Sequence, residues 1–275
     1  MQKLQETITQ LRIYAMNISK GILLTFNTFS KPLTEISITY GKPEDYKHID
    51  NLYNLTEIAG SKDTFSKCCN LMDYLCSHVL HYSHYDNHLG GDLLKILETT
   101  WDNECREESI NCLYLSFVLR SFFQSQGIKA RSVSAFPCSP YGTDNHVVVE
   151  AWLPEYNKWV MFDPTHNTYL KNSAGTLLSC KEIRQILAQN EKIIFAPTTS
   201  YNKKLYDKDR LLDLESYFAC DFFFFMIRDS QSLRDKEVRR IVIAPDGYDL
   251  DIYQKRKEFK LENIIYNPIS FMDRE

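Results

Sequence analysis

Residues 112–126 constrain the fold more than any other stretch, because their spacing predicts a helix with apolar side chains on nearly every side. A helix that lacks a polar face lies in the centre of a fold and not on its surface. Gly127, which suits the left-handed conformation that ends many helices, follows directly. We therefore predict one buried central helix that begins at Cys112. Its apolar side chains are Leu113, Leu115, Phe117, Val118, Leu119, Phe122 and Phe123.

Three segments after the central helix have the composition and alternation of β-strands. A buried helix packed on an antiparallel sheet is an α+β fold. The chain has no internal repeat and no linker rich in proline or serine, which favours a single domain over residues 1–275. Within it we distinguish an N-terminal extension (1–49), a core (105–170) and a C-terminal elaboration (171–275). The three predicted strands are residues 129–136, 146–153 and 158–163.

Shorter patterns predict further elements. A helix at 64–82 has Asp63 or Thr64 to cap its start, and a short helix follows the cap residue Asp92. Apolar spacing or alternation predicts the remaining elements. These are an amphipathic helix at 3–16, strands at 21–26 and 33–40, and a buried strand or helical turn at 222–227.

Composition limits the partners and compartments that the sequence favours. Hydrophobic residues make up 44% of the chain, enough for a sizeable core, and the net charge is −4. Lysine and arginine are spread along the chain, which gives no support for a nucleic-acid or anionic-membrane partner. No basic segment followed by a continuous apolar run begins the sequence, so no export signal is predicted. We expect a cytoplasmic protein without a membrane span, whose eight cysteines are reduced thiols.

Cys112 lies in the first turn of the predicted central helix, where backbone N–H groups point outward and the helix dipole is positive. This position favours the ionised thiol, which is the nucleophilic form, and the same N–H groups can hold a developing oxyanion. Packing is the alternative, because cysteine is among the residue types that are buried most often. Cys112 is therefore a candidate nucleophile that requires a base nearby.

The predicted hairpin brings a histidine and a carboxylate together. With a four-residue loop at 154–157, Leu153 pairs with Lys158. Side chains on one face of a strand alternate with period two, so His146 and Asp163 then share a face and lie diagonally across two strands. A loop with an odd number of residues and no bulge would place them on opposite faces. The even loop predicts a base with an orienting carboxylate, which a cysteine nucleophile needs.

The order and spacing of these motifs resemble the core of the transglutaminase-like superfamily. Taken together the motifs are specific, and fainter similarity to a bacterial branch of intracellular members extends over residues 50–275. The matching pieces are Cys112 at the start of a helix, GIKAR at 127–131, HVVVE at 146–150 and WVMFDPT at 159–165.

The resemblance implies a papain-like fold with a catalytic triad. Cys112 is then the nucleophile, His146 the general base and acid, and Asp163 the residue that orients His146. The implied enzyme acts on amide or thioester carbonyls of a peptide, a protein or a small molecule through a thioacyl-enzyme intermediate. Hydrolysis is favoured over transfer to an amine, and no cofactor is expected. The chain departs from the branch at Leu113, where many members carry arginine.

Residues near the triad are candidates for a second oxyanion donor or for substrate contacts. Asn111, Trp101 and Asn145 are the candidate donors, although Asn111 equally suits helix capping. The loop that precedes His146 is expected to border the cleft. Its candidate substrate contacts are Tyr141, Asp144 and Asn145.

The other polar residues of the motifs are expected to be structural. His166 is an alternative base, but the superfamily pattern places the base at the strand start, so a position at the rim is preferred. Glu150 and Trp152 share the face of His146 and are expected to pack or to form buried hydrogen bonds. Arg131 is expected to pair with a carboxylate in the core.

A group of potential zinc ligands falls within thirteen residues of the chain. Their spacing does not place them on one helical face, and no C-x-x-C pair accompanies them, so solvated histidines are preferred and no metal is predicted. A metal-dependent protein and a binding module that keeps the fold without catalysis remain the alternatives to an enzyme. The residues of the group are Cys76, His78, His81, His84 and His88.

Overall fold

The computed structural model describes residues 2–30, 37–105, 108–141, 145–233, 238–251, 255 and 264–266. The helices are α1 (Gln2–Thr25), α2 (Lys47–Tyr53), α3 (Leu55–Ala59), α4 (Thr64–His78), α5 (Leu93–Thr100), α6 (Cys112–Ser125), α7 (Cys180–Ala188) and α8 (Lys208–Asp221). The strands are β1 (Ala130–Phe136), β2 (His146–Leu153), β3 (Lys158–Phe162), β4 (Leu170–Asn172), β5 (Ile193–Phe195), β6 (Ser200–Tyr201), β7 (Lys204–Leu205), β8 (Phe224–Arg228), β9 (Arg240–Ile243) and β10 (Ile264–Tyr266).

The main sheet of the described residues has six strands in the order β10-β9-β8-β1-β2-β3. The neighbours from β9 to β3 are antiparallel, and β10 pairs with β9 in parallel at one edge. Helices cover both faces of this sheet. The mixed helix and sheet architecture confirms the predicted α+β class.

The β2–β3 hairpin has the predicted register. Leu153 pairs with Lys158, and Val149 pairs with Phe162. A 3-10 turn at Pro154–Tyr156 and the left-handed Asn157, with φ 49°, make up the four connecting residues. The even loop therefore leaves the start of β2 and the residue after β3 on the same face of the sheet.

Helix α6 is the buried central helix that the sequence predicts. Asn111 caps it, since its side-chain oxygen accepts a hydrogen bond from the Tyr114 backbone N–H. Gly127 follows the helix with φ 72°, the left-handed conformation that glycine adopts without strain. Apolar residues of α4, α5 and α6 pack on one face of the sheet, and those of α1, α7 and α8 pack on the other. The first turn of α6 is left at one end of the sheet, beside the start of β2.

The predictions for the N-terminal region were wrong in part. Residues 21–26 form no strand: residues 21–25 are the last turns of α1 and Phe26 follows it, because Leu23 is fully buried against the α7–α8 side of the core. Of the predicted strand at 33–40, residues 33–36 lie outside the described residues, and Thr39 makes a single parallel bridge to Ser230. The helix predicted at 64–82 ends at His78.

Other local predictions are confirmed. The side chain of Asp63 caps α4 by accepting from the Ser66 N–H, and Asp92 caps α5 by accepting from the Lys95 N–H. The apolar run at 222–227 contributes the buried strand β8. All eight cysteines are described, and none forms a disulfide. None of the described helices combines the length and apolar character that crossing a membrane requires.

A buried ion pair ties the sheet to α7. Arg131 and Glu150 face each other across β1 and β2, and Arg131 Nε and Nη2 donate to Glu150 Oε2 at 2.9 and 2.7 Å. Both side chains are completely buried. Glu150 Oε1 accepts the Cys180 backbone N–H at 2.8 Å, and the guanidinium lies 4.0 Å from the Trp159 ring centre. The sequence predicts that Arg131 pairs with a carboxylate in the core, and that carboxylate is Glu150.

Changing Glu150 to glutamine is expected to lower the free energy of unfolding by about 3–5 kcal/mol, because it leaves a buried guanidinium without its counter-charge. Urea unfolding followed by circular dichroism measures the change. The matched control is Glu191→Gln, since Glu191 is exposed and its replacement is expected to change stability by less than about 0.5 kcal/mol. Equal effects of the two substitutions would contradict a structural role for the pair.

Candidate active site

Cys112 is half-buried at the start of α6, where the fold leaves its thiol open to a cleft. Its Sγ lies 3.8 Å from the backbone oxygen of Asn145, the residue that precedes β2. The Cys112 and Leu113 amides are in the first helical turn, which has no carbonyl partners of its own for them. The thiol therefore lies beside N–H groups at the positive end of the helix dipole.

His146 and Asp163 form a buried pair next to this thiol. His146 Nε2 lies 2.8 Å from Asp163 Oδ2, and their side chains are 1% and 0% exposed. Since Nε2 faces the carboxylate, Nδ1 is the ring nitrogen left for the Cys112 thiol, which is within hydrogen-bonding reach of the imidazole. The three side chains thus form a chain from carboxylate to imidazole to sulfur.

The electrostatics of the pair favour a protonated imidazole. Burial by itself lowers the pKa of His146, but the charge and hydrogen bond of Asp163, together with Cys112, raise it well above its ordinary value. Burial likewise opposes the charge on Asp163, yet His146 and His166 hold the pKa of that carboxyl far below its usual range. The geometry therefore stabilises a protonated His146 ring, which lies between the Asp163 carboxylate and the Cys112 sulfur.

His166 shares the carboxylate with His146. Its Nδ1 lies 2.9 Å from the same Asp163 oxygen, while Asp163 Oδ1 accepts the Thr165 backbone N–H at 2.9 Å. His166 lies in the loop after β3, is nearly buried and lines the cleft. The spacing of three residues from Asp163 was the available signal, because a tight turn brings such residues together.

His146, Asp163 and His166 also have the atom types of metal ligands, and one such atom of each lies within 4.8 Å of the others. Both imidazoles, however, meet the same carboxylate oxygen at 2.8 and 2.9 Å. These are hydrogen-bond distances between a ring nitrogen and an oxygen, and a metal between them would require the groups to separate. The contacts are those of a hydrogen-bonded network.

The potential zinc ligands at 76–88 have separate partners in the structure. The Cys76 thiol donates to the Pro164 carbonyl, His78 pairs with Asp102, and His88 pairs with Asp86. None of these belongs to a cluster of three metal-ligand groups among the described residues.

Cys112 and His146 line a cleft of about 910 Å³. Helix α6 forms one side of it and α8 the other, with Tyr201 of β6 and the N-terminal end of β2 between them. Beyond Cys112 and His146 the cleft continues along α6 over the open face of β1, β8 and β9. Side chains that define its two sides are Tyr114, Phe117 and Arg120 on α6, and Arg210, Leu214 and Tyr217 on α8.

The cleft includes some of the predicted accessory residues. Asn111 and Asn145 line it, although the Asn111 side chain is engaged as the helix cap and by a 3.0 Å bond to Asn87 Oδ1. Trp101 does not line the cleft but packs against Tyr53 and Tyr74. Tyr141 is 84% exposed and also lies outside the cleft lining. Asp144 lies outside the described residues.

His81, which the sequence places in the potential zinc group, is part of the site instead. It lines the cleft, and its Nδ1 lies 3.0 Å from the Tyr201 hydroxyl. Burial and the neighbouring His166 and His146 lower the pKa of His81 to about 3, so its imidazole is neutral at pH 7. An isolated bridge to Ile110 places it next to the strand-like approach to α6. No sequence motif indicates this contact across thirty residues.

Comparison with known proteins finds a family match in the region of this site. Residues 54–164 match the family model described as the transglutaminase-like superfamily, a range that contains Cys112, His146 and Asp163. No curated protein matches the chain. A solved structure described as a candidate cysteine protease from Cytophaga hutchinsonii is 15% identical with a TM-score of 0.35, over 63% of this chain and 58% of its own. The chain thus spans less than two thirds of that protein. The resemblance to the transglutaminase-like superfamily is confirmed for residues 54–164.

Proposed function

We propose that the protein is a cysteine-dependent hydrolase of amide or thioester bonds, with Cys112 as nucleophile, His146 as base and acid, and Asp163 as the orienting residue. The observation that carries the proposal is the chain of contacts from the buried Asp163 through the buried His146 to the half-buried Cys112 thiol, which lies at the positive end of a helix and opens to a cleft. A cysteine nucleophile, its base and an orienting acid are the minimum that this chemistry needs.

Acylation begins once His146 has taken the proton of the Cys112 thiol. The thiolate sulfur attacks the substrate carbonyl carbon, and the carbonyl oxygen becomes an oxyanion held by the Cys112 backbone N–H. The imidazolium of His146 then gives its proton to the leaving nitrogen or sulfur as the bond from carbon to that atom breaks. The amine or thiol leaves, and a thioester to Cys112 remains.

Deacylation uses the same groups in reverse. His146 takes a proton from a water molecule, whose oxygen attacks the thioester carbonyl and displaces the Cys112 sulfur. A carboxylic acid is released and the thiol is restored.

The neutral His81 is the proposed second donor to the oxyanion, because Tyr201 can donate to its Nδ1 and leave Nε2–H as a donor into the cleft.

Hydrolysis is favoured over acyl transfer because the half-buried Cys112 opens into a wide cleft that water can enter. Acyl transfer to an amine uses the same residues and differs only in the acceptor that attacks the thioester. Mass spectrometry of the products formed in the presence of glycinamide separates the two reactions, since hydrolysis yields the free acid and transfer yields the amide.

Cys112 is expected to react with iodoacetamide at neutral pH at least about tenfold faster than any other cysteine, because His146 accepts its proton. Burial raises the pKa of Cys69 to about 12 and that of Cys68 well above its ordinary value, which keeps these thiols protonated. The exposed Cys105 is the internal reference. Peptide mapping of protein labelled at several pH values measures each rate.

In the His146→Ala variant, the labelling rate of Cys112 is expected to fall to that of Cys105. Unchanged labelling in the variant, or a Cys112 that reacts no faster than Cys105 in the wild type, would rule out the thiol–imidazole pair. The protein would then be better described as a binding module on the same fold.

A further inference from the structure

Three arginines lie along the part of the cleft that extends beyond the triad. Arg120 belongs to α6, and Arg228 and Arg240 belong to β8 and β9. We call these three residues, together with Ser132 of β1, the arginine band. Because an α-helix rises 1.5 Å per residue, Arg120 lies about 12 Å along α6 from Cys112. Tyr114 and Phe117 line the same side of the helix between them.

Strand pairing places the band in one row across the sheet. Arg228 lies directly opposite Arg240 in the β8–β9 ladder, and the β1–β8 register continues the row to Ser132. Like charges that face each other across two strands destabilise a sheet. Partial burial of its guanidinium and, after it, the charge of Arg240 lower the pKa of Arg228. An anion held between the two guanidinium groups would remove this repulsion.

Arg120 provides an independent sign of a ligand. It is only 5% exposed, and its Nη1 donates to two neutral oxygens, Ser132 Oγ at 3.3 Å and Gln231 Oε1 at 2.9 Å. Its buried Nε–H has no acceptor among the described residues. Burial lowers the pKa of Arg120 to about 10. A buried guanidinium with neutral partners and an unsatisfied N–H is costly, and a bound anion would offset that cost.

The charge of the cleft differs from that of the whole chain. Its described lining contains four arginines and a single carboxylate, whereas the chain has a net charge of −4. That carboxylate, Asp213, lies on the α8 side and pairs with Arg12 at 3.0 Å. The positive charge is therefore concentrated at the cleft, and three of the four arginines are in the band.

We propose that the arginine band is a substrate subsite that binds an anionic group, a carboxylate or a phosphate, about 12 Å from the carbonyl that Cys112 attacks. The proposal rests on the proposed function, since it names the substrate class of the same cleft. The planar guanidinium group matches both anions through paired hydrogen bonds. In an extended peptide this distance spans three to four residues. The substrate is therefore an acidic peptide-like acyl compound.

Binding of synthetic peptides to the full-length Cys112→Ala protein tests the subsite without any reaction. Three nine-residue peptides of alanine and glycine differ only at the positions four residues before and four residues after the centre. These positions hold glutamate, phosphoserine or glutamine. Isothermal titration calorimetry is expected to give a dissociation constant about tenfold lower for glutamate or phosphoserine than for glutamine. The better of the two charged peptides identifies the anion.

Arg228→Gln in the same protein is expected to abolish this preference. The Arg228 side chain is partly exposed, so the substitution is expected to leave the fold intact. The control is Arg239→Gln, which removes the same charge one residue from the band. Arg239 is 57% exposed and pairs with Asp229 outside the cleft. The Arg239→Gln variant should keep the preference for the charged peptides.

Equal affinity for all three peptides, no measurable binding of the charged ones, or a preference that survives Arg228→Gln would overturn the subsite. None of these results bears on whether Cys112 is reactive. Conversely, an unreactive Cys112 would refute the proposed function while a charge-dependent affinity still stood. The two failures are therefore distinguishable.

Discussion

Replacing Cys112 with alanine is expected to abolish the reaction of the protein with p-nitrophenyl acetate. This small activated ester tests the nucleophile without the natural substrate. The wild type should release a burst of nitrophenolate stoichiometric with protein, followed by slower turnover, because acylation precedes deacylation. In an enzyme with a triad, loss of the nucleophile lowers the rate by roughly 10⁶-fold. The variant should therefore hydrolyse the ester no faster than buffer.

The matched control is Cys105→Ala, because Cys105 is exposed and does not line the cleft. Its burst amplitude and steady-state rate are expected to equal those of the wild type. Circular dichroism establishes that both variants fold. A burst that persists in Cys112→Ala and disappears in Cys105→Ala would place the nucleophile elsewhere and refute the proposed mechanism.

The part of the site that local pattern determines could be predicted from the sequence. Helix α6 begins at the predicted Cys112 because Asn111 supplies the cap, and ends before Gly127 as expected. The number of residues between β2 and β3 sets their register, and with it the common face of His146 and Asp163. These features depend on residues close together in the chain, where capping and loop length decide the geometry.

Features that depend on distant pairing could not be predicted. Strand β8 joins β1 from about ninety residues further along the chain, and only this pairing brings Arg228 to the cleft. Residues 21–26 have the alternation of a strand, yet the burial of Leu23 against α7 and α8 extends α1 to Thr25. Tertiary packing overrides a short alternating pattern when a helix can bury the same side chains.

The contacts of two histidines depend on how the chain folds back on itself. His166 meets Asp163 because the backbone turns back between Asp163 and Thr168, where each N–H donates to the other carbonyl. His81 reaches the cleft through contacts with Tyr201, which is 120 residues away in sequence. The spacing of three residues between Asp163 and His166 is a local signal for the first contact. No local pattern indicates the contact of His81, so the sequence suggested only a solvated or metal-binding group there.

Asp163→Asn is expected to lower the steady-state rate of ester hydrolysis by about 10⁴-fold, the size of effect seen when the orienting carboxylate of a triad becomes an amide. Asp163 accepts from His146 Nε2 and so keeps the proton off Nδ1, the nitrogen that must receive the thiol proton. The amide of asparagine can donate to Nε2 and favour the opposite tautomer. Steady-state kinetics on purified variants measure the loss.

His166→Gln is the control for this substitution, because it removes the second imidazole and leaves the bond between His146 and Asp163 in place. A loss of less than about tenfold is expected, since the catalytic base keeps its orientation. Equal losses of rate in Asp163→Asn and His166→Gln would mean that His146 and His166 act on Asp163 as one unit. A fully active Asp163→Asn protein would remove Asp163 from the mechanism.

Asp163→Asn should also flatten the dependence of the free energy of unfolding on pH. His146 and His166 depress the pKa of Asp163 against the effect of burial, so this carboxylate stabilises the fold above about pH 4 and loses that contribution as the pH falls. Burial lowers the pKa of His146, but Asp163 and Cys112 raise it overall. Its contribution is thus complete below about pH 6.5 and declines as the pH rises through the raised value.

The ion pair therefore stabilises the protein most between about pH 4 and 6.5. Urea unfolding at pH 3, 5.5 and 8.5 should show the largest difference in free energy between the wild type and Asp163→Asn at pH 5.5. A difference that stays constant over this range would mean that Asp163 and His146 are neutral together in the folded protein. In that state His146 would not hold the proton of the Cys112 thiol, and the thiolate–imidazolium pair from which the proposed acylation starts would be absent.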